Sequence, residues 1–287
     1  MASVTPPKLH GLITIDSTND VFTITATSGA ESGLARTITL TQGNYFIQGY
    51  TGETHGAWPA ASSTATGGLL EHVQAQVRAA PGTAFDSFTA SALTDTGRVS
   101  LSNTLGGDNF TINGAEWYPA SGGLGRILGF AGDITNQPSL TGPNHHKYSW
   151  YPNVPPVEFS GDPDLLGVRL SDAVGTTAPD GTHTTTAYNN RRVRDFTFEH
   201  IADEYMMPTG SLVNRDFEQF WTDILRVGRR WRYYPDRTVQ TAPGGGAPWT
   251  YVGGKAIARD GTTAAERQVA FWSAFYKITI DALEYIG

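Results

Sequence analysis

The 287-residue chain contains no cysteine. Disulfides, thiolate zinc sites and thiol nucleophiles are therefore excluded, and burial has to hold the fold together. No apolar run approaches the roughly 20 residues that a membrane-spanning helix needs. Met1 to Lys8 lack the charged and apolar stretches of a secretory leader, so the expectation is a soluble protein made in the cytoplasm. A surplus of basic charge is missing too. Twenty Lys and Arg face 27 Asp and Glu, a net charge of −7 with a pI near 5.4. A phosphate-binding surface needs the opposite balance, so nucleic acid is not expected as a partner, nor is a membrane.

Enzyme motifs are also wanting. Gly123-Leu124-Gly125-Arg126-Ile127-Leu128-Gly129 has one residue too many for a dinucleotide fingerprint. Gly253-Gly254-Lys255-Ala256 lacks the first glycine and the Ser/Thr of a phosphate loop, and no Gly-x-Ser-x-Gly occurs. Asp162-Pro163-Asp164-Leu165-Leu166-Gly167 begins like a calcium loop, but Leu166 stands where an oxygen ligand is required and no acid closes the loop. His145 and His146 are adjacent; on a strand they point to opposite faces and do not share a metal, so they read as a loop-borne polar pair. Asp195, Glu199, Asp203 and Glu204 could supply the two carboxylates of a glycan-cleaving site, yet arginines beside them make mixed-charge surface pairing the preferred reading. No catalytic residue, cofactor or metal is assigned, and the chain is not expected to be an enzyme.

What the chain does contain is glycine and proline, 33 and 16 residues, among Ser/Thr/Ala-rich stretches. This composition predicts many turns and short strands, with helix in the minority. Residues 1–150 hold 6 Lys/Arg and 10 Asp/Glu, the remainder 14 and 17, so the second half is the more charged. Alternation predicts strands at Leu12–Asp16 and Val21–Thr25, joined as a hairpin through Ser17-Thr18-Asn19-Asp20. A third strand is expected at Arg36–Leu40, broken by Gly43. Leu69, Leu70, Val73 and Val77 recur at helical spacing between Gly67-Gly68 and Pro81-Gly82, which predicts a helix over about 67–80. Strands follow near Arg98–Ser102 and Phe110–Ile112. The proline-rich run Gln137–Pro156 is the best linker, dividing a β-rich module (1–145) from a sandwich-like module (146–287).

In the second module Phe217, Phe220, Trp221, Ile224 and Leu225 follow helical spacing, with Asn214 able to cap the start, so a helix over about 215–227 should bury its aromatic face. Tyr276–Asp281 reads as a closing strand. Trp117-Tyr118-Pro119, Trp150-Tyr151-Pro152 and Tyr233-Tyr234-Pro235 each read as the end of a strand. Long loops are expected at Tyr50–Gly68, Gly175–Ala187 and Thr238–Pro248. The fold class is thus mainly β with a few helices, built of β-sandwich-like modules with some α+β character.

Two resemblances carry the functional expectation. The order Thr39–Tyr45, Leu69–Val77, Gly97–Leu101 and Leu128–Phe130 is similar to a module of virus structural proteins and covers about residues 35–142. The strand Arg191–Glu199, the aromatic helix, and then Gly228-Arg229-Arg230-Trp231-Arg232-Tyr233-Tyr234-Pro235-Asp236 resemble the tail-tip and distal-tail proteins of long-tailed bacteriophages. The resemblance implies a virion structural protein of the tail, a ring of copies (six-fold, or three-fold) that joins the tail tube to hub or fibre proteins through the long loops. A neck or capsid-associated protein, or a receptor- or glycan-binding module, stays open as the alternative. Between Arg191 and Arg237 nine Arg meet eight Asp/Glu, so the segment is balanced rather than a basic stripe. Arginine among Trp and Tyr is the composition of interface anchors, and Arg191, Arg192, Arg194, Arg229, Arg230 and Arg232 are the candidate subunit contacts.

Overall fold

The computed structural model describes residues 6–49, 67–93, 96–103, 108–114, 116–119, 122–156, 168–177, 183–206, 217–238, 248–257, 266–270 and 273–284. The fold is mainly β with few helices, and all its strand pairs are antiparallel among the described residues. In chain order the first part runs β1 (Lys8–Gly11), β2 (Ile13–Ile15), β3 (Val21–Ala26), β4 (Ala35–Thr39), β5 (Gly43–Tyr45), α1 (Leu69–Arg78), β6 (Thr89–Ala92), β7 (Arg98–Ser102) and β8 (Phe110–Asn113). It continues through α2 (Leu124–Ile127), β9 (Ile134–Gln137), β10 (Ser139–His145) and β11 (Ser149–Trp150). The second part holds β12 (Val168–Thr177), β13 (His183–Ala202), α3 (Phe217–Phe220), β14 (Arg230–Tyr234), β15 (Trp249–Ile257), β16 (Glu266–Ala270) and β17 (Ser273–Glu284).

Three small sheets wrap the first core: β4-β3-β8-β9, β10-β7-β6 and β2-β5. Period-2 burial explains them, since Phe22, Ile24 and Ala26 of β3, Val99 and Leu101 of β7, and Phe110 and Ile112 of β8 all point inward. Helix α1 closes the core with Leu69, Leu70, Val73 and Val77. Its first amides need partners from outside the helix, and the N–H groups of Leu69 and Leu70 donate to the carbonyls of Phe46 and Ile47. Gly125 in α2 lies so close to Trp117 that an added Cβ would stand 2.7 Å from the indole, which is why a glycine sits on that buried face.

The expected hairpin is not formed. Both strands exist, but β2 pairs with β5 while β3 pairs with β4 and β8. Asp16 accepts hydrogen bonds from the backbone and hydroxyl of Thr18, and Asn19 binds back to the backbone of Asp16 and Thr14. The side chains thereby fold the connection into a corner that sends the chain into another sheet, a use of Asp and Asn that competes with a hairpin turn. Gly43 does not end the strand region; it starts β5.

Gln137–Pro156 is not a linker either. It carries the end of β9, all of β10 and β11, and Pro143 is accommodated where the β10–β7 register shifts. Strand β11 then pairs with β1, placing Trp150 opposite Leu9. Two of the three aromatic-aromatic-Pro steps do end strands, β11 and β14, and these flank β1 on either side. Trp117-Tyr118-Pro119 instead lies in a turn.

The large sheet has the order β11-β1-β14-β15-β17-β13-β12, with β16 also on β17. Its core collects Phe196, Phe198, Phe217, Phe220, Trp231, Tyr233, Tyr251, Ile278 and Ile280. Each buried indole keeps its N–H paired: Trp150 on the Tyr205 carbonyl (2.9 Å) and Trp231 on that of Gly253 (2.7 Å). The predicted aromatic helix is present, but after α3 it widens to a π turn over Trp221–Leu225. The amides of Arg226 and Arg229 reach the carbonyls of Trp221 and Ile224, five residues back. Asn214 lies outside the described residues.

Gly175–Thr177 and His183–Ala187, expected as loop, are paired strand residues in a Thr-rich hairpin. The ladder between β12 and β13 runs from Val168↔Val193 to Thr177↔His183, whereas β17 meets β13 only from Val193 to Ala202. Residues 183–192 of β13 therefore pair with β12 alone among the described residues. Ten residues of strand extend about 33 Å, so the hairpin leaves the sheet as a long two-stranded ribbon.

Candidate functional site

Five of the six arginines proposed as contacts fall on two strands of one sheet, and Arg229 directly precedes the second of them. Arg191, Arg192 and Arg194 lie on β13 at the root of the ribbon, where Arg192 stands in register with Arg169 of β12 and Arg194 with Ala282 of β17. Arg230 and Arg232 lie on β14. Two strands, β15 and β17, separate the sets, a gap of about 14 Å at ordinary strand spacing, so the structure does not bring them together within one chain. Arg232 is interior at 6% exposure, its guanidinium 3.8 Å above the centre of the Phe46 ring. Arg230 is half-buried and in register with Val252. Of the acids beside them, Glu199 is half-buried and Glu204 exposed, while Phe196 and Phe198 point into the core as their alternation predicts. Thr197, on the other face, is also covered and lies with its hydroxyl 3.1 Å from that of Thr279.

Around β1 the two buried clusters meet over a group of nitrogen-bearing side chains. His10 shares a 2.6 Å hydrogen bond with the Tyr151 hydroxyl, and its ring centre lies 4.9 Å from that of His146. Lys8 sits 5.0 Å over the Tyr234 ring. His145 and His146, read as a loop pair, are both buried; β10 ends at His145, and both rings turn to Tyr151. Burial pushes His10 and His146 down, the latter to about 3, with neighbouring cationic groups adding to the shift. Lys8 is lowered to about 8 by burial, against the opposing attraction of Asp236. No group of three or more His, Asp or Glu is arranged to hold a metal among the described residues. The Asp162–Gly167 segment lies outside them.

Beside this junction opens a cleft of about 410 Å3, built by segments far apart in the chain. Arg126 comes from α2, held by donation from its Nε to the Pro119 carbonyl (2.7 Å) and lying 4.0 Å over the Tyr118 ring. Lys147 and Tyr148 follow β10, the Lys147 amide donating to the Ile127 carbonyl (2.7 Å). Arg229 leaves the π turn. Tyr148 has φ +65°, a left-handed conformation unfavourable for a bulky residue, and its ring carries Lys147 at 4.7 Å and Arg229 at 5.1 Å. Lys147 makes an ion pair with Asp223 (3.7 Å). Neither Arg126 nor Arg229 has a carboxylate partner among the described residues, and Nη1 of Arg229 is buried with no acceptor. Asp16 stands on the rim as the one acid of the lining, its pKa lowered by the hydrogen bonds from Thr18. The arrangement can attract and orient an anion.

Only Arg229 of this cleft was among the residues singled out from sequence. No protein-family model, curated protein or solved structure matches the chain.

Proposed function

We propose that this chain is a structural protein of a tailed-bacteriophage virion, a tail-tip or baseplate component of distal-tail type. It assembles with copies of itself into a ring, six-fold or three-fold, that joins the tail tube to hub or fibre proteins, and its chemistry is assembly rather than turnover. The observation that supports this reading best is the ribbon of β12 and β13. A two-stranded hairpin in water is marginal on its own, and among the described residues no further strand pairs with either of its backbone edges over residues 183–192 and their β12 partners. Arg191 and Arg192 stand at its root, where planar guanidinium groups suit contact with a neighbouring subunit.

Mass photometry with negative-stain imaging of the purified full-length chain tests the proposal. The expected result is a discrete hexamer or trimer with ring-shaped particles, reduced to monomer by Arg192→Glu. A wild-type chain that stays monomeric at micromolar concentration contradicts self-assembly. An Arg192→Glu oligomer identical to wild type contradicts the role of the ribbon root.

A further inference from the structure

The cleft between α2, the β10–β11 corner and the π-turn exit is cationic in an acidic chain. The chain carries a net charge of −7, yet three cations and one carboxylate line this opening. Convergent charge of one sign in a concave, low-dielectric wall focuses the field and concentrates counter-ions. Two of the cations, Arg126 and Arg229, are not neutralised by an ion pair among the described residues, while Asp223 engages only Lys147. The guanidinium groups are also held in place: Arg126 by Pro119 and Tyr118, Arg229 by Tyr148 and by a main chain that accepts from the Gly253 amide (2.9 Å). Positioned forks of this kind suit bidentate capture of a carboxylate or phosphate.

Size and lining narrow the ligand. A cleft of about 410 Å3 falls in the range of small-molecule sites, and it is a hollow rather than the flat patch of a protein interface. Of its three aromatic residues, Tyr118 and Tyr148 carry cations on their faces and Phe130 is buried against Trp117, which disfavours recognition of a neutral sugar by stacking. Asp16 repels a bare anion but accepts hydrogen bonds from hydroxyl groups. The geometry points to an anionic monosaccharide as the ligand of this cleft, its carboxylate or phosphate held by Arg126 and Arg229 and its hydroxyls directed to Asp16. The inference does not depend on ring assembly, and either can fail alone.

Calorimetric titration of the full-length protein tests it with glucuronate, glucose 6-phosphate, glucose, inorganic phosphate and a short glutamate-rich peptide as probes. Glucuronate or glucose 6-phosphate should bind at least about ten-fold more tightly than glucose, and the tighter of the two identifies the acid group. Arg126→Gln and Arg229→Gln should each weaken that binding about ten-fold in protein that still unfolds cooperatively above the titration temperature. Arg126→Lys, which keeps the charge and loses the fork, should fall between. Asp16→Asn should weaken the sugar acid but not inorganic phosphate. Glucose binding as well as glucuronate overturns the anion part, and inorganic phosphate or the peptide binding as well as the sugar acids overturns the sugar part. No binding of any probe at millimolar concentration overturns the whole proposal.

Discussion

Half of the buried residues in the second cluster are aromatic, against a quarter in the first. The first cluster draws on a contiguous stretch, Ile13 to Ile134, and is enclosed by three small sheets and α1. The second has one large sheet and takes two of its members from outside its own stretch, Leu9 from β1 and Trp150 from β11. Its strands also overrun the core, as the β12–β13 ribbon does. The first region is closed by local segments, and the second carries strand beyond its core.

Four changes test that comparison in order of expected size. Trp231→Ala removes a fully buried indole and strands the Gly253 carbonyl, and should destabilise the second cluster by about 3–5 kcal/mol in chemical denaturation. Leu9→Ala, although near the start of the chain, should weaken the same cluster by about 2–4 kcal/mol and leave the near-ultraviolet signal of Trp117 in the first cluster unchanged. A loss confined to the first cluster would break the assignment of β1 to the large sheet.

The third is a pH dependence. His10 and His146 are neutral when folded, their pKa values lowered, so the unfolded chain binds more protons below the ordinary histidine value near 6.5. Their contribution to stability is complete above about pH 6.5 and is lost as pH falls, at about 1.4 kcal/mol per unit for each histidine. Denaturation midpoints between pH 7 and pH 5 should show that slope, and His146→Gln should reduce it. Last, Thr197→Val leaves the Thr279 hydroxyl without its partner across the ladder and should cost about 1 kcal/mol by the same assay.

Much of this was legible in the chain, and the gaps have physical causes. Strands β3, β4, β7 and β8, helix α1 and the aromatic turn of Phe217–Leu225 announce themselves by periodicity because each buries one face. Strand β1 reads Lys-Leu-His-Gly and shows no such period, since both its faces are covered and its polar members are buried at the junction. Strand β6, Thr-Ala-Ser-Ala, has no large residue to betray it. Pairing was harder than existence: β2 has its partner beyond β3 and β4, and the Asp16 and Asn19 hydrogen bonds that turn the chain aside look in sequence like an ordinary hairpin loop. The cleft was illegible because Arg126, Lys147 and Arg229 converge only in the folded chain.

The most direct test of an outward-reaching second region is hydrogen exchange of the amides in residues 183–192, followed by mass spectrometry across a range of protein concentration. Residues 183–192, which pair with β12 alone among the described residues, should exchange readily in dilute solution and become protected if copies assemble on this ribbon. Protection that is the same at every concentration, while the chain does or does not associate, would contradict the account.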